Sequence, residues 1–359
     1  MQLGSEIIKW YKVNKRDLPW RNTRNPYHIW LSEIILQQTR VDQGLSYYHR
    51  FVEKYPTVKA LASAKESEVL RLWQGLGYYT RARNLHKTAR TIAENFKGRF
   101  PKEYEEIRSL AGVGEYTAAA IASFAYDLKY PVVDGNVFRV LSRYFGIKTP
   151  IDTSSGKKVF SKLAGKLMAE FPPAQFNQAI MEFGSRQCRP SNPDCLACPL
   201  NGSCFSFLNK KINSFPVKKN KTRVRNRFFH YLVIRYRNSF YIRKRLEKDI
   251  WQGLHDFPLI ETEKRTTEEE ILNSPEWKKI LSGKKAKLIH VSPNHKHLLS
   301  HQEIHARFYE ISIEKRIVLK EQKKWKLVNL NSVKKHALPR LIERYVEKLS
   351  QVPGPKSQV

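Results

Sequence analysis

All four cysteines of this chain fall between positions 188 and 204, in the string CRPSNPDCLACPLNGSC. Cys188, Cys195, Cys198 and Cys204 give the spacing C-x6-C-x2-C-x5-C. The N-terminal MQLGSEIIKWYKVNKRDLPW has no apolar export core, so a cytoplasmic chain without structural disulfides is expected. Four thiolates on so tight a loop can surround one metal centre. A zinc ribbon normally carries two C-x2-C pairs, and only one is present. A [4Fe–4S] cluster also takes four cysteines and accepts uneven loops, so the spacing favours iron–sulfur while leaving zinc open. Pro190, Pro193 and Pro199 suit a stiff loop around such a centre.

The 359 residues suggest two domains, and 41% hydrophobic content is enough to build cores for both. No run of about 18 apolar residues occurs, so no membrane partner is expected in the form of a spanning helix. Sixty-five Lys and Arg against 33 Asp and Glu leave a formal charge of +32. An excess of that size repels itself in the folded state unless a polyanion is bound, and nucleic acid is the first candidate, ahead of an anionic membrane surface.

Residues 1 to about 205 read as short helices separated by Gly and Pro. VFRVLSRYFG places Val137, Val140, Leu141 and Tyr144 on one helical stripe. Between 209 and 248 there are fourteen Lys and Arg and one acid, Glu247. The first part, NKKINSFPVKKNKTRVRN, reads as an exposed basic linker suited to tracking phosphates. Strands begin at about 227: FFHYLVIRYRNSFYIRKR reads as a hairpin, HARFYEISI and KWKLVNL as further strands, and ALPRLIERYVEKLSQ as an amphipathic helix.

Three windows of the helical region carry chemistry. In LAGVGEYTAAA, Gly112 and Gly114 allow a tight turn before a helix starting near Tyr116 or Thr117. The free N–H groups of that helix suit a DNA phosphate, although an ordinary turn reads equally well. In PVVDGNVFRVL, Asp134 directly precedes a helix and reads first as an N-cap, with Asn136 two residues on. In WLSEIILQQTRV, Glu33 and Gln37 fall on one helical face beside Ile34, Ile35 and Leu36. A carboxyl among so much apolar surface would have a raised pKa and act as a general acid. Taken alone, the window reads more simply as an exposed glutamate.

The cysteine spacing, placed after some 200 helical residues, is similar to the cluster loop of the endonuclease III superfamily of DNA glycosylases. SEIILQQT, LPWR at 18–21 and QGLGYYTRARNL at 74–85 resemble the adenine DNA glycosylase (MutY) family within it. The resemblance implies a [4Fe–4S] cluster on the four cysteines, Glu33 as the acid that protonates the departing base, and Asp134 stabilising the oxocarbenium-like sugar, with Asn136 setting the polar site around it. Tyr116 stands where lyase members carry the Schiff-base lysine, which implies hydrolysis without strand cleavage. Adenine contacts fall to Arg21 and Gln178, duplex filling or wedging to Gln38 and Tyr78, and packing to Trp20 and Tyr79. The flipped base enters a pocket, as any enzyme acting on a base within a duplex requires.

RKRLEKDIWQGLHDFPLIE, residues 243–261, resembles the signature of Nudix domains, while the hydrolase box is missing. Members of the MutY family carry such an inactive domain to read 8-oxoguanine. HLLSH, residues 297–301, matches their reading loop, with His297 and Ser300 on the lesion-contacting positions and Leu299 where the family usually has Phe. His295, His297, His301 and His305 also read as a histidine-rich strand edge.

The expectation is a multidomain chain: an all-α helix-hairpin-helix glycosylase domain over 1–208 (hairpin about 105–125, cluster loop 188–204), a linker over 209–226, an α+β Nudix-like domain over 227–350 and a tail over 351–359. It is expected to act as a monomer on double-stranded DNA holding adenine opposite 8-oxoguanine or guanine. The rivals are an endonuclease III-like glycosylase for oxidised pyrimidines and a non-catalytic iron–sulfur DNA-binding protein.

Overall fold

Burial sorts the helical half by its apolar stripes. A computed structural model describes residues 2–220, 224–281, 284–316 and 325–350. The expected tail, 351–359, lies outside them. The helices are α1 (Gln2–Asn14), α2 (Pro26–Leu36), α3 (Val41–Lys54), α4 (Val58–Ser63), α5 (Glu66–Leu72), α6 (Thr80–Asn95), α7 (Tyr104–Ser109), α8 (Glu115–Tyr126), α9 (Gly135–Phe145), α10 (Ser154–Met168), α11 (Pro173–Arg186) and α12 (Phe205–Leu208). Val137, Val140 and Leu141 of α9 meet Leu3 and Ile7 of α1, Phe160 of α10 and Phe176, Ile180 and Phe183 of α11 in one core.

The second half is a mixed sheet with β1 (Arg225–Tyr236), β2 (Ser239–Lys244), β3 (His255–Asp256), β4 (Leu259–Thr262), β5 (Ala286–Val291), β6 (His295–Leu298), β7 (Gln302–Ile313) and β8 (Trp325–Asn329). The expected hairpin is present: Tyr236 pairs with Ser239 across a turn in which Arg237 takes φ 53°. β1 then runs parallel to β7 over its whole length, from Arg225 opposite Gln302 to Tyr236 opposite Ile313. Alternate residues bury on the two faces. Leu232, Ile234, Tyr309 and Ile311 join Ile271 of α13 (Glu268–Leu272) and Leu281 of α14 (Pro275–Leu281). After α15 (Leu330–Val333), the closing helix α16 (Arg340–Leu349) stacks Tyr345 on Phe308 at 3.8 Å between ring centroids.

Two compact units result, Met1–Ser63 with Asn84–Lys221, and Ala64–Arg83 with Thr222–Val359. The segment 64–83, expected within the helical domain, groups with the second of these units. Within it Val69, Leu70, Trp73, Leu76 and Tyr79 are all buried. The stretch expected to be an exposed linker also differs at its start. Phe215 is buried, Ile151 donates its N–H to the Val217 carbonyl at 3.0 Å, and Asp152 accepts from the N–H groups of Lys219 and Asn220 at 2.9 and 2.8 Å. Among the described residues no helix is long and apolar enough to cross a membrane.

Candidate active site

Helix α2 brings the first carboxyl into the interior. Asn25 caps it by accepting from the Tyr27 N–H at 3.0 Å, Pro26 opens its first turn, and Ile29, Trp30, Leu31, Ile34 and Ile35 are buried around it. Glu33 sits in the middle of this run and is only 8% exposed, so the simpler reading of an exposed glutamate fails. Burial raises its carboxyl to about 7. A hydrogen bond from the Tyr116 hydroxyl and the charge of Arg21 pull the other way, while Asp134 adds to the rise. The helix ends at Leu36, so Gln37 is its cap rather than a further helical residue, and its amide reaches the Thr117 hydroxyl at 3.4 Å.

Asp134 is the N-cap of α9. One carboxylate oxygen accepts from the backbone N–H groups of Asn136 and Val137 at 2.9 and 2.8 Å, and the other from the Asn136 side-chain amide at 2.6 Å. Burial raises this carboxyl too, but these donors and Arg139 act against it. Glu33 is opposed only by one hydroxyl and a guanidinium charge where Asp134 is held by backbone N–H groups, so the two acids sit in different environments. Arg139 fixes Asn136 in turn: its guanidinium donates to Asn136 Oδ1 at 2.8 Å, to the Gly184 carbonyl at 2.6 Å and to the Cys188 carbonyl at 2.7 Å.

Glu33, Tyr116, Asp134, Asn136, Arg21 and Gln178 line one pocket of about 200 Å³. Six of the expected site residues are thus brought together from α2, α8, α9, α11 and the short turn Pro19–Arg21. Glu182 lies in the same wall and was not foreseen. Its side chain is fully buried and accepts from Arg16 at 2.8 and 2.7 Å and from Arg21 at 2.7 Å. Burial works to raise this carboxyl, yet the hydrogen bonds from Arg16 and Arg21 outweigh it and hold it at about 2. Tyr11, also unforeseen, donates its hydroxyl to Gln178 Oε1 at 2.9 Å and so fixes the amide. Neither lies in a motif of the sequence; Tyr11 falls on the buried face of α1 with Leu3, Ile7 and Ile8.

Gly112 takes φ 78°, and a Cβ there would come within 2.8 Å of Asn84 Cβ, so the hairpin needs glycine at this turn. Gly114 is the N-cap of α8, which begins at Glu115, and space beyond its Cα is open. Gln38 and Tyr78 both adopt left-handed backbone, φ 55° and 48°, a conformation uncommon in residues other than glycine. They belong to different compact units. His297 lies on β6 with its ring 6.0 Å from that of Trp251, and Ser300 shares a 3.1 Å hydrogen bond with His301 in the turn before β7. His305 pairs with Glu303 at 3.0 Å, and Lys296 with the same oxygen at 2.7 Å.

The four cysteines line a single cavity together with Arg143, Leu200 and Phe207. Arg143 is buried against the loop, donating to the carbonyls of Arg189 and Pro190 at 2.7 and 3.0 Å and to Cys188 Sγ at 3.5 Å. Among the described residues no three His, Cys, Asp or Glu side chains are arranged to hold one metal ion. Four thiols around one cavity are a donor set that four-cysteine metal centres use.

Residues 31–182 match the HhH-GPD superfamily of base excision DNA repair proteins, and residues 230–348 match the NUDIX domain. The adenine DNA glycosylase of Buchnera aphidicola subsp. Baizongia pistaciae (strain Bp) is 35% identical over 351 residues, 96% of either chain. The Homo sapiens adenine DNA glycosylase is 42% identical over 207 residues, 55% of this chain and 38% of that one. The solved structure of a thermostable thymine-DNA glycosylase superposes with a TM-score of 0.54 at 31% identity, covering 58% of this chain and 96% of that one. Fold and site together define a helix-hairpin-helix DNA repair glycosylase with a Nudix-type domain appended. Within that class the chain belongs to the adenine DNA glycosylase family.

Proposed function

We propose that the protein hydrolyses the N-glycosidic bond of adenine mispaired with 8-oxoguanine or guanine in duplex DNA, as a cytoplasmic monomer. The observation that carries the chemistry is the buried Glu33, held at about 7 beside a second carboxyl, Asp134, that caps a helix. Adenine leaves poorly as an anion. The Glu33 carboxyl, flipped base beside it, donates its proton to N7 as the C1′–N9 bond opens. Asp134 faces the positive charge that grows on the sugar, either as an ion pair or by forming a bond to it. The Glu33 carboxylate then takes a proton from the incoming water. Tyr116 hydrogen-bonds Glu33 and offers no amine, so no Schiff base forms. Gln178, held by Tyr11, and Arg21, held by Glu182, present fixed polar groups to the base. The N-terminus of α8 behind Gly112 and Gly114 takes a DNA phosphate, and Gln38 and Tyr78 fill the opened duplex.

Cys188, Cys195, Cys198 and Cys204 would hold the [4Fe–4S] cluster, which when bound fastens the loop against α9 and contributes to DNA docking. Purified protein is expected to be brown and to carry about four irons per chain; stoichiometric zinc without iron would contradict this. The function itself is tested on duplexes with A opposite 8-oxoguanine, G or T, with and without alkali. Strand breaks only after alkali, on the first two substrates, are expected. Breaks without alkali, or excision from oxidised pyrimidines instead, would favour the endonuclease III-like reading.

His297 and Ser300 contact the 8-oxoguanine, whose C8 oxygen and N7 proton distinguish it from guanine. One such hydrogen bond contributes on the order of 1 kcal/mol. Ser300→Ala is therefore expected to lower the preference for A·8-oxoguanine over A·G several-fold in single-turnover assays, with the A·G rate unchanged.

A further inference from the structure

Half-buried Gln178 stands in a wall between two cavities of the helical unit. One is the pocket of about 200 Å³ that also holds Glu33 and Asp134. The other, of about 420 Å³, shares Arg16, Arg21, Phe124 and Gln178 with it. Tyr11 lines the second cavity and not the first, so it reaches the carboxylate pocket through Gln178. The contact is the 2.9 Å hydrogen bond from the Tyr11 hydroxyl on α1 to Gln178 Oε1 on α11.

A glutamine amide has two ends of similar shape and opposite character, an oxygen that accepts and an amine that donates. Which end meets a bound base decides which base is accepted. The Tyr11 hydroxyl biases that choice, because Gln178 Oε1 is its one hydrogen-bond partner among the described residues. With the amide reversed, Nε2 would donate to the Tyr11 oxygen, and the proton of this buried phenol would be left without an acceptor. Burial pushes the phenol up, against the charge of Arg21, and so keeps that proton on the oxygen. Lys15 Nζ and the Arg21 guanidinium each lie 5.9 Å from the centre of the Tyr11 ring. Positive charge at this place favours the carbonyl oxygen over the amine as the end of the amide beside it. Tyr11 takes one lone pair of Oε1, and the second remains for a donor. The 6-amino group of adenine is such a donor. The 6-oxo group of hypoxanthine is an acceptor and would face oxygen with oxygen.

We propose that Tyr11 is a positioning residue that sets base specificity: by holding the Gln178 oxygen towards the 6-position of the flipped purine, it admits 6-aminopurines and disfavours 6-oxopurines. The inference rests on the reading of Gln178 as a contact to that base. It leaves N7 to Glu33, so recognition and protonation fall on different atoms of adenine. To be held equally well, hypoxanthine must turn the amide over and strand the Tyr11 proton.

The test uses full-length, iron-loaded protein in single-turnover assays on duplexes with adenine or hypoxanthine opposite 8-oxoguanine. Tyr11→Phe removes the hydroxyl and keeps the ring. It is expected to lower the adenine-over-hypoxanthine rate ratio roughly tenfold, the size of one buried hydrogen bond left unmade, mainly by speeding hypoxanthine removal. Adenine excision should slow about twofold, since a freed amide offers the wrong end half of the time. In Gln178→Glu the side chain presents an oxygen whichever way it turns, so adding Tyr11→Phe to that variant should leave its ratio unchanged. A merely structural hydroxyl would lower the melting temperature and both rates together, in either background. A ratio that stays unchanged or rises in Tyr11→Phe, or falls equally in both backgrounds, overturns the inference. Gln178→Ala separates the two levels of the reading. An unchanged ratio there removes Gln178 from the base, and the inference with it; a ratio changed in Gln178→Ala but not in Tyr11→Phe leaves the contact standing and removes the role of Tyr11 alone.

Discussion

Glu33→Gln is expected to bind A·8-oxoguanine duplexes as the parent does and to lose excision by about 10²–10⁴-fold. The amide keeps the shape of the carboxyl and its place in the pocket but cannot give up a proton. Because burial holds the Glu33 carboxyl at about 7, the single-turnover rate of the parent should also fall tenfold per pH unit above that value. Rapid-quench measurements from pH 5.5 to 9 check both statements. Turnover within threefold of the parent, or a pH profile flat through 7, would remove Glu33 as the acid.

The same residue carries a stability cost of definite sign. Its folded pKa, about 7, lies above the ordinary 4.5. The unfolded chain therefore releases this proton first, and stability falls as pH rises from 4.5 through 7, by about 3 kcal/mol in all. Glu33→Gln removes that dependence. The inactive variant should accordingly melt above the parent at pH 8, with the gap closing near pH 5. Identical melting temperatures at pH 8 would show that the buried carboxyl ionises freely.

How far the sequence led can be followed through single residues. Asp134 as an N-cap was legible because a cap is a local event, set by a short carboxyl before a helix. The β1–β2 hairpin was legible for the same reason. The burial of Glu33 was not, since its own window cannot say that Tyr116 and Asp134, some eighty and a hundred positions on, close over it. That the four cysteines come together could be read from their spacing, and they line one cavity, whereas Arg139 and Arg143, which brace that loop, look like ordinary helix-surface cations until their carbonyl partners are in place. The assignment of 64–83 to the sheet unit was hidden for a related reason. Apolar residues such as Leu70 and Trp73 announce that they will be buried, but not against what.

Glu182→Gln should be the most destabilising single change around the pocket. Glu182 is the only carboxylate that Arg16 and Arg21 are bonded to there among the described residues, and its side chain has no exposure at all. Removing its charge leaves two guanidinium groups facing each other in a buried wall, and breaking one partner of such a cluster costs about 3–5 kcal/mol. For a helical unit of this size that corresponds to a fall in melting temperature of roughly 10 °C at pH 7. The pH dependence runs opposite to that of Glu33. Here the folded pKa, about 2, lies below the ordinary 4.5, so the contribution is complete above 4.5 and is lost as pH falls towards 2. The melting curves of parent and variant should therefore converge in acid and diverge towards neutrality. If Arg21 contacts the base as proposed, its release from Glu182 should also raise KM for the mispair more than it lowers kcat. Equal melting temperatures at pH 7 would mean that the two arginines find other counter-charges. Opposed shifts at Glu33 and Glu182 would instead show one pocket holding one carboxyl protonated for chemistry and another ionised for architecture.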